Sequence, residues 1–227
     1  MRVRLLISRK ERGADAFDIE EVLYETSDEN ATVASALTEL NAERELSRPI
    51  EWEHSCHQKK CGACAMLLNG YPGLACDCFL KRFDGKTLSL SPLKKFPVIA
   101  DLLVDRSILS ENLKQMRVWL NDKASLPEKK QELAHEASRC LQCGCCLEVC
   151  PNFCPGEEFS GLAGFVPTAR LIAELPESQK KELFRIYRNR FYEGCGKSLA
   201  CRKVCPAGLD VDRLLVNTNA AAVWKRR

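Results

Sequence analysis

The chain has 227 residues, a formal net charge of +3, 45% hydrophobic and 29% charged residues. That balance is globular and excludes wholesale disorder, and so small a charge gives no argument for nucleic acid as a partner. Fourteen cysteines are far too many for an enzyme with one reactive thiol, and too few for the cysteine density of a short secreted disulfide scaffold.

The N-terminal apolar run is only Leu5-Leu6-Ile7, too short for a signal-peptide core, and nowhere do 18 apolar residues follow one another. The expected location is therefore cytoplasmic. Cysteines used in bulk where thiols stay reduced point to metal ligation rather than disulfides. Arg2–Ser8 alternates polar and apolar residues and predicts a strand, with Phe17–Tyr24 as its hairpin partner. Thr32–Leu46 predicts a helix with Val33, Ala36, Leu37 and Leu40 on one face. Ala65–Leu68 predicts a short strand ended by the turn pair Asn69-Gly70, which leaves Cys56–Cys64 as a loop. A composition shift places a domain boundary near residue 104: residues 1–104 are net −2 and residues 105–227 net +5. Beyond it the pattern is helical. Ser107–Leu120 carries Ile108, Leu109, Leu113, Met116 and Leu120 at helical spacing, Pro127 and Pro176 are placed to open two more helices, and Leu209–Trp224 reads as a last one. Phe184, Tyr187 and Phe191 fall on one face and read as core.

The cysteines fall in three groups. In the first, Cys56, Cys61 and Cys64 have the Cys-x4-Cys-x2-Cys spacing of plant-type 2Fe–2S ferredoxins, with Cys76 as the fourth thiolate. A short loop with Gly62 and Ala63 lets amide N–H groups approach a small cluster. Zinc is the alternative, though it more often uses paired Cys-x2-Cys elements. In the second, Cys140, Cys143, Cys146 and Cys150-Pro151 form the Cys-x2-Cys-x2-Cys-x3-Cys-Pro run of bacterial ferredoxins, in which the last Cys serves a second cluster. In the third, Cys195, Cys201 and Cys205-Pro206 fit the same template except that Ser198 stands where a thiolate is expected. Seven ligands for two clusters predict one complete 4Fe–4S centre and one lacking an iron, a 3Fe–4S centre; oxygen ligation by Ser198 is the other reading.

This order of motifs resembles the iron–sulfur subunit of the succinate dehydrogenase and fumarate reductase family over nearly the whole chain. Cys61-Gly-Ala-Cys-Ala-Met66, Leu74-Ala-Cys76, Asp101-Leu-Leu-Val-Asp105 and Cys205-Pro-Ala-Gly-Leu209 carry the likeness. The resemblance implies an α+β chain: an N-terminal β-grasp plant-type 2Fe–2S ferredoxin domain (1–104), then an all-α bacterial-ferredoxin-like domain (105–227). It implies 2Fe–2S on Cys56, Cys61, Cys64 and Cys76, 4Fe–4S on Cys140, Cys143, Cys146 and Cys205, and 3Fe–4S on Cys150, Cys195 and Cys201. It implies as partners an FAD-containing flavoprotein subunit, where dicarboxylate chemistry takes place, and a membrane anchor subunit with quinone, which would hold the chain peripherally on the inner face of the cell membrane. The Trp and His that line the quinone site in membrane-bound members have no match in Pro151-Asn-Phe-Cys-Pro155 or at Gly196, so the electron partner stays open between quinone and another carrier. Cys78, Cys145 and Cys154 are left over and read as buried small residues. His54, His57 and His135 are not needed as ligands, because the thiolates suffice. No phosphate loop, His-Glu-x-x-His or Gly-x-Ser-x-Gly is present, so no catalytic residue is assigned. The function implied is an electron wire; the alternatives are a wire for another flavoprotein reductase and a metal-stabilised interaction module without a redox role.

Overall fold

The computed structural model describes residues 1–43, 46–120 and 130–224. The chain divides into two compact units, Met1–Arg106 and Ser107–Arg227.

In the first unit, β1 (Arg2–Arg9) and β2 (Asp18–Glu25) form an antiparallel hairpin. A helix, α1 (Val33–Glu43), follows, then β3 (Ala65–Leu68), β4 (Tyr71–Leu74) and β5 (Thr87–Ser91). The sheet order is β2-β1-β5-β3-β4, with β1 and β5 parallel and every other pair antiparallel. Val3, Leu5 and Ile7 from β1 and Leu88 and Leu90 from β5 point to one buried face, as period-2 alternation requires. Thr32 and Ser35 start α1 reciprocally: Ser35 N–H donates to Thr32 Oγ1 and Thr32 N–H to Ser35 Oγ. The β3–β4 turn uses Asn69 (φ 50°) and Gly70 (φ 81°), the left-handed pair a tight hairpin needs. A small second hairpin pairs β6 (Val98–Ala100) with β7 (Leu103–Val104). Its turn carries Asp101, fully buried, which accepts from Arg9 (3.0 Å), Arg48 (2.9 and 2.6 Å) and the N–H groups of Lys10 and Glu51 (2.8 Å each). That one carboxylate joins the end of β1, the 48–51 segment and the β6–β7 turn.

The second unit is helical. It contains α2 (Ser107–Gln115), α3 (Gln131–Ser138), α4 (Cys145–Glu148), α5 (Gly161–Glu174), α6 (Lys180–Tyr187), α7 (Ala200–Lys203) and α8 (Val211–Asn219). Its core gathers Phe165, Ile172, Leu183, Tyr187, Phe191 and Leu214, and the rings of Phe165 and Phe191 stack at 4.4 Å. Helix α5 is buried along almost its whole length, with Pro167 inside it.

Several elements differ from the sequence expectation. Helix α2 stops at Gln115 because Arg117 turns left-handed (φ 52°), and Leu120 is exposed rather than on a buried face. Helix α1 ends at Glu43, and Leu46 is not helical. Pro176 is followed by a short 3-10 turn before α6, and α8 starts at Val211, capped by the Asp210 carboxylate. Pro127, residues 44–45 and the basic end 225–227 lie outside the described residues.

Candidate functional site

Among the described residues no disulfide joins any of the fourteen cysteines. The first group sits on a loop that leads directly into β3, with Cys76 on a 3-10 turn that leaves β4. The two pieces are tied by Ala75 N–H donating to Cys64 O (3.0 Å) and by a Lys59–Asp77 ion pair (2.7 Å). Arg106 holds the loop from behind, donating to Ala63 O (2.8 Å) and Ala65 O (3.1 Å) while pairing with Glu53 (2.7 Å). His57, Lys59 and Gly62 all have positive φ (52°, 57° and 76°). This alternation turns successive N–H groups to one side, as in an anion-binding nest. Gln58 and Lys60 N–H donate to Cys56 Sγ (3.4 and 3.3 Å), and Lys59 N–H donates to Cys76 Sγ (3.3 Å). These donors favour thiolate and pull Cys56 down to about 6. Cys64 is buried, which pushes its thiol up to about 12, with Cys76 and Cys61 close enough to add repulsion. Cys56, Cys61, Cys64 and Cys76 thus form one electrostatically connected group.

Neighbouring residues are absorbed elsewhere. His54 stacks on Trp52 (4.4 Å between centroids), and His54 Nδ1 lies 3.1 Å from His57 Nε2. Cys78 is buried under α1, its carbonyl accepting from Val33 N–H (2.9 Å), and burial pushes its thiol up to about 11.

In the helical unit, two cavities hold the remaining groups. Cys140, Cys143, Cys146 and Cys205 line one. Cys150, Cys195 and Cys201 line the other, with Ser198 and Asn152 at its wall. Leu162 of α5 faces both. Sulfur from segments 140–150 and 195–205 is brought together by cross-links on either side. Asn152 Nδ2 donates to Gly194 O (2.7 Å), Asp210 N–H donates to Glu136 (2.7 Å), and Arg213 pairs with Glu132 (2.5 Å). Burial pushes the thiols of Cys140 and Cys201 up to about 11, and Cys146 well above the usual range, with neighbouring thiols adding to each.

The two segments repeat one backbone. Two and four residues after the leading Cys140 stand Gln142 (φ 51°) and Gly144 (φ 86°); two and four after Cys195 stand Lys197 (φ 55°) and Leu199 (φ 56°). Short helices α4 and α7 then begin at the fifth position, Cys145 and Ala200. Ser198 falls in register with Cys143, and Cys145 with Ala200. Cys145 is fully buried, whereas Cys154 is exposed and not the buried small residue the sequence suggested: the sharp Cys150–Gly156 stretch turns it to solvent while Phe153 takes the interior.

Among the described residues no three His, Cys, Asp or Glu side chains gather closely enough for one metal ion. What fits a polynuclear sulfur-bridged group is the donor set: soft thiols around shared cavities in the helical unit, and inward amide N–H groups on the first loop. Gln142 and Arg106 were not singled out from sequence. An amide-bearing residue inside a Cys-x2-Cys loop is a signal that could have marked the first, while nothing local marks an arginine 42 residues beyond the loop it holds.

Residues 4–111 match the model of a 2Fe-2S iron-sulfur cluster binding domain. The succinate dehydrogenase iron-sulfur subunit of Bacillus subtilis is 31% identical, over 96% of this chain and 91% of that protein. The fumarate reductase iron-sulfur subunit of Wolinella succinogenes is 32% identical, over 75% of this chain and 77% of that one. A chain of the Mycobacterium smegmatis Sdh1 complex in the apo form has the same fold, with a TM-score of 0.77 at 20% identity over 96% of both chains.

Proposed function

The chain belongs to the family of succinate dehydrogenase and fumarate reductase iron–sulfur subunits, and from that premise we propose that it is the electron-transfer subunit of such a complex. It passes electrons between the FAD of a flavoprotein subunit and a quinone or other redox partner, with dicarboxylate chemistry confined to the flavoprotein. The partition of the cysteines carries this reading. One four-thiol loop, one four-thiol cavity and one three-thiol cavity are the arrangement that 2Fe–2S, 4Fe–4S and 3Fe–4S centres require.

In this reading Cys56, Cys61, Cys64 and Cys76 hold the first centre in residues 1–104. Cys140, Cys143, Cys146 and Cys205 hold the second, and Cys150, Cys195 and Cys201 the third, in residues 105–227. When bound, these groups supply one-electron oxidation and reduction. The chain's own residues tune that chemistry by charge, hydrogen bonding and burial. The N–H groups of Gln58, Lys59 and Lys60 stabilise negative charge on the first loop, while Leu162 and the α5 face keep water from the two cavities. Among the described residues no helix is long and apolar enough to cross a membrane.

Iron analysis of anaerobically purified protein tests the reading: nine irons per chain (2 + 4 + 3) are expected, with an oxidised 3Fe–4S EPR signal. Ser198→Cys should abolish that signal by completing the thiolate set in register with Cys143. Four irons with no cubane signal, or a wild type with two 4Fe–4S centres, would contradict it.

A further inference from the structure

The loop that carries Cys140 contains two unfavourable local features. Gln142 adopts φ 51°, which a residue with a side chain rarely takes, and its Oε1 is buried without a hydrogen-bond partner among the described residues. Both features come with one arrangement: Gln142 Nε2 lies 3.3 Å from Cys140 Sγ and 3.0 Å from Ala163 O. The amide cannot be turned over, because Oε1 would then face a carbonyl oxygen and a thiolate.

The acceptor for the second bond has a cause in the sequence. In a helix the carbonyl of Ala163 would accept from the N–H of residue 167. Residue 167 is Pro167, which has no N–H. The proline therefore leaves the Ala163 carbonyl open, and Gln142 Nε2 occupies it. With one amide hydrogen anchored on α5, the other is aimed at Cys140 Sγ.

The homologous position in the third group behaves differently. Lys197 has the same backbone conformation and its N–H likewise supports the leading cysteine, Cys195. Its side chain, however, lies over the Tyr192 ring, 5.4 Å from the centroid, and not on sulfur. The side-chain donor is thus present at one of two otherwise matched loops.

We propose that Gln142, held in place by the carbonyl that Pro167 leaves open, is a positioning residue that raises the reduction potential of the cluster bound through Cys140. The inference rests on the cluster reading above. An N–H donor on a ligand sulfur favours the more negative, reduced state, and the effect is large where burial excludes water.

The test is an EPR-monitored redox titration of the full chain in its complex. Gln142→Gly removes the donor and suits φ 51°, so folding is not put at risk by the backbone. It should lower the reduced-to-oxidised ratio of the 4Fe–4S centre at fixed potential about tenfold, ~59 mV for a one-electron couple. The potentials of the other two centres should not move. An exchangeable proton coupling to the reduced 4Fe–4S centre should also disappear. Pro167→Ala supplies the missing N–H to Ala163 O, competes with Gln142, and should shift the same potential in the same direction by less, while α5 becomes more stable. A 4Fe–4S signal present in the wild type and unmoved in both variants overturns the inference alone. A wild type with no 4Fe–4S signal overturns the cluster reading and the inference together.

Discussion

Cys56 and Cys146 stand at opposite ends of the thiol environments in this chain. Around Cys56, two backbone N–H groups pull the thiol down to about 6 in a loop open to solvent. Around Cys146, burial and four neighbouring cysteines push it far up. The first loop is already arranged to hold negative charge, since its donors are fixed by local backbone conformation and by a sheet that forms independently of sulfur. The helical cavities gather thiols from segments some fifty residues apart, and burial there disfavours thiolate at Cys140, Cys146, Cys195 and Cys201. The first unit is expected to fold and then receive its group. In the second, binding and folding are one equilibrium.

The largest break in that contrast is Cys205→Ala. It removes a proposed ligand that comes from the third segment while the other cysteines of that cavity come from the second. Loss of the 4Fe–4S signal, and of protease resistance across residues 107–227, is expected, with the first site's EPR signal kept. A variant with full helicity and both helical-unit clusters would show that packing alone holds those segments together. The mirror experiment is Asp101→Ala in the first unit. It takes the shared carboxylate from both Arg48 and Arg9, leaving the 6% exposed Arg9 with Glu20 (2.9 Å) alone. Removing one partner from a buried ionic group costs about 3–5 kcal/mol. Denaturant melting of the first unit should show that loss whether or not the helical unit carries clusters. A change below ~1 kcal/mol would mean that the existing Glu20 pair and water suffice for Arg9.

The two units also differed in how much could be read in advance. Strands β1, β2 and β3, the Asn69-Gly70 turn and the buried face of α1 all follow from local pattern, because alternation and capping act over a few residues. Helix α5, the centre of the second unit, escaped notice. Gly161, Gly164 and Pro167 interrupt its sequence as loop signals would, and tertiary burial overrides them. Where Gly164 lies, a Cβ would come 2.6 Å from Ser160 Cβ, so the glycine is there for close packing and not for a turn. The cysteine spacing picked out thiols that the structure gathers around two cavities and one loop. The supports did not show: Arg106 on Ala63, Gln142 on Ala163 and Asn152 on Gly194 are contacts across 21 to 43 residues of chain, with no periodic signature.

The smallest expected effect sharpens the comparison inside the helical unit. Cys145 lies between the proposed ligands Cys143 and Cys146 and is fully buried, so sequence alone leaves its role open. The repeated backbone resolves it: the matching residue at the start of α7 is Ala200, which bears no ligand atom. A position that accepts alanine in one loop calls for a small side chain and not for sulfur chemistry. Cys145→Ala should therefore retain all nine irons and all three EPR signals, at a cost of about 1 kcal/mol from the lost packing of one sulfur atom. The control is Cys143→Ala, in register with Ser198, which should convert the 4Fe–4S centre to a three-iron form by leaving that centre the same three-thiolate set as its neighbour. If Cys145→Ala and Cys143→Ala lose the same iron, the register between the two loops is wrong, and with it the assignment of Ser198 as the missing ligand.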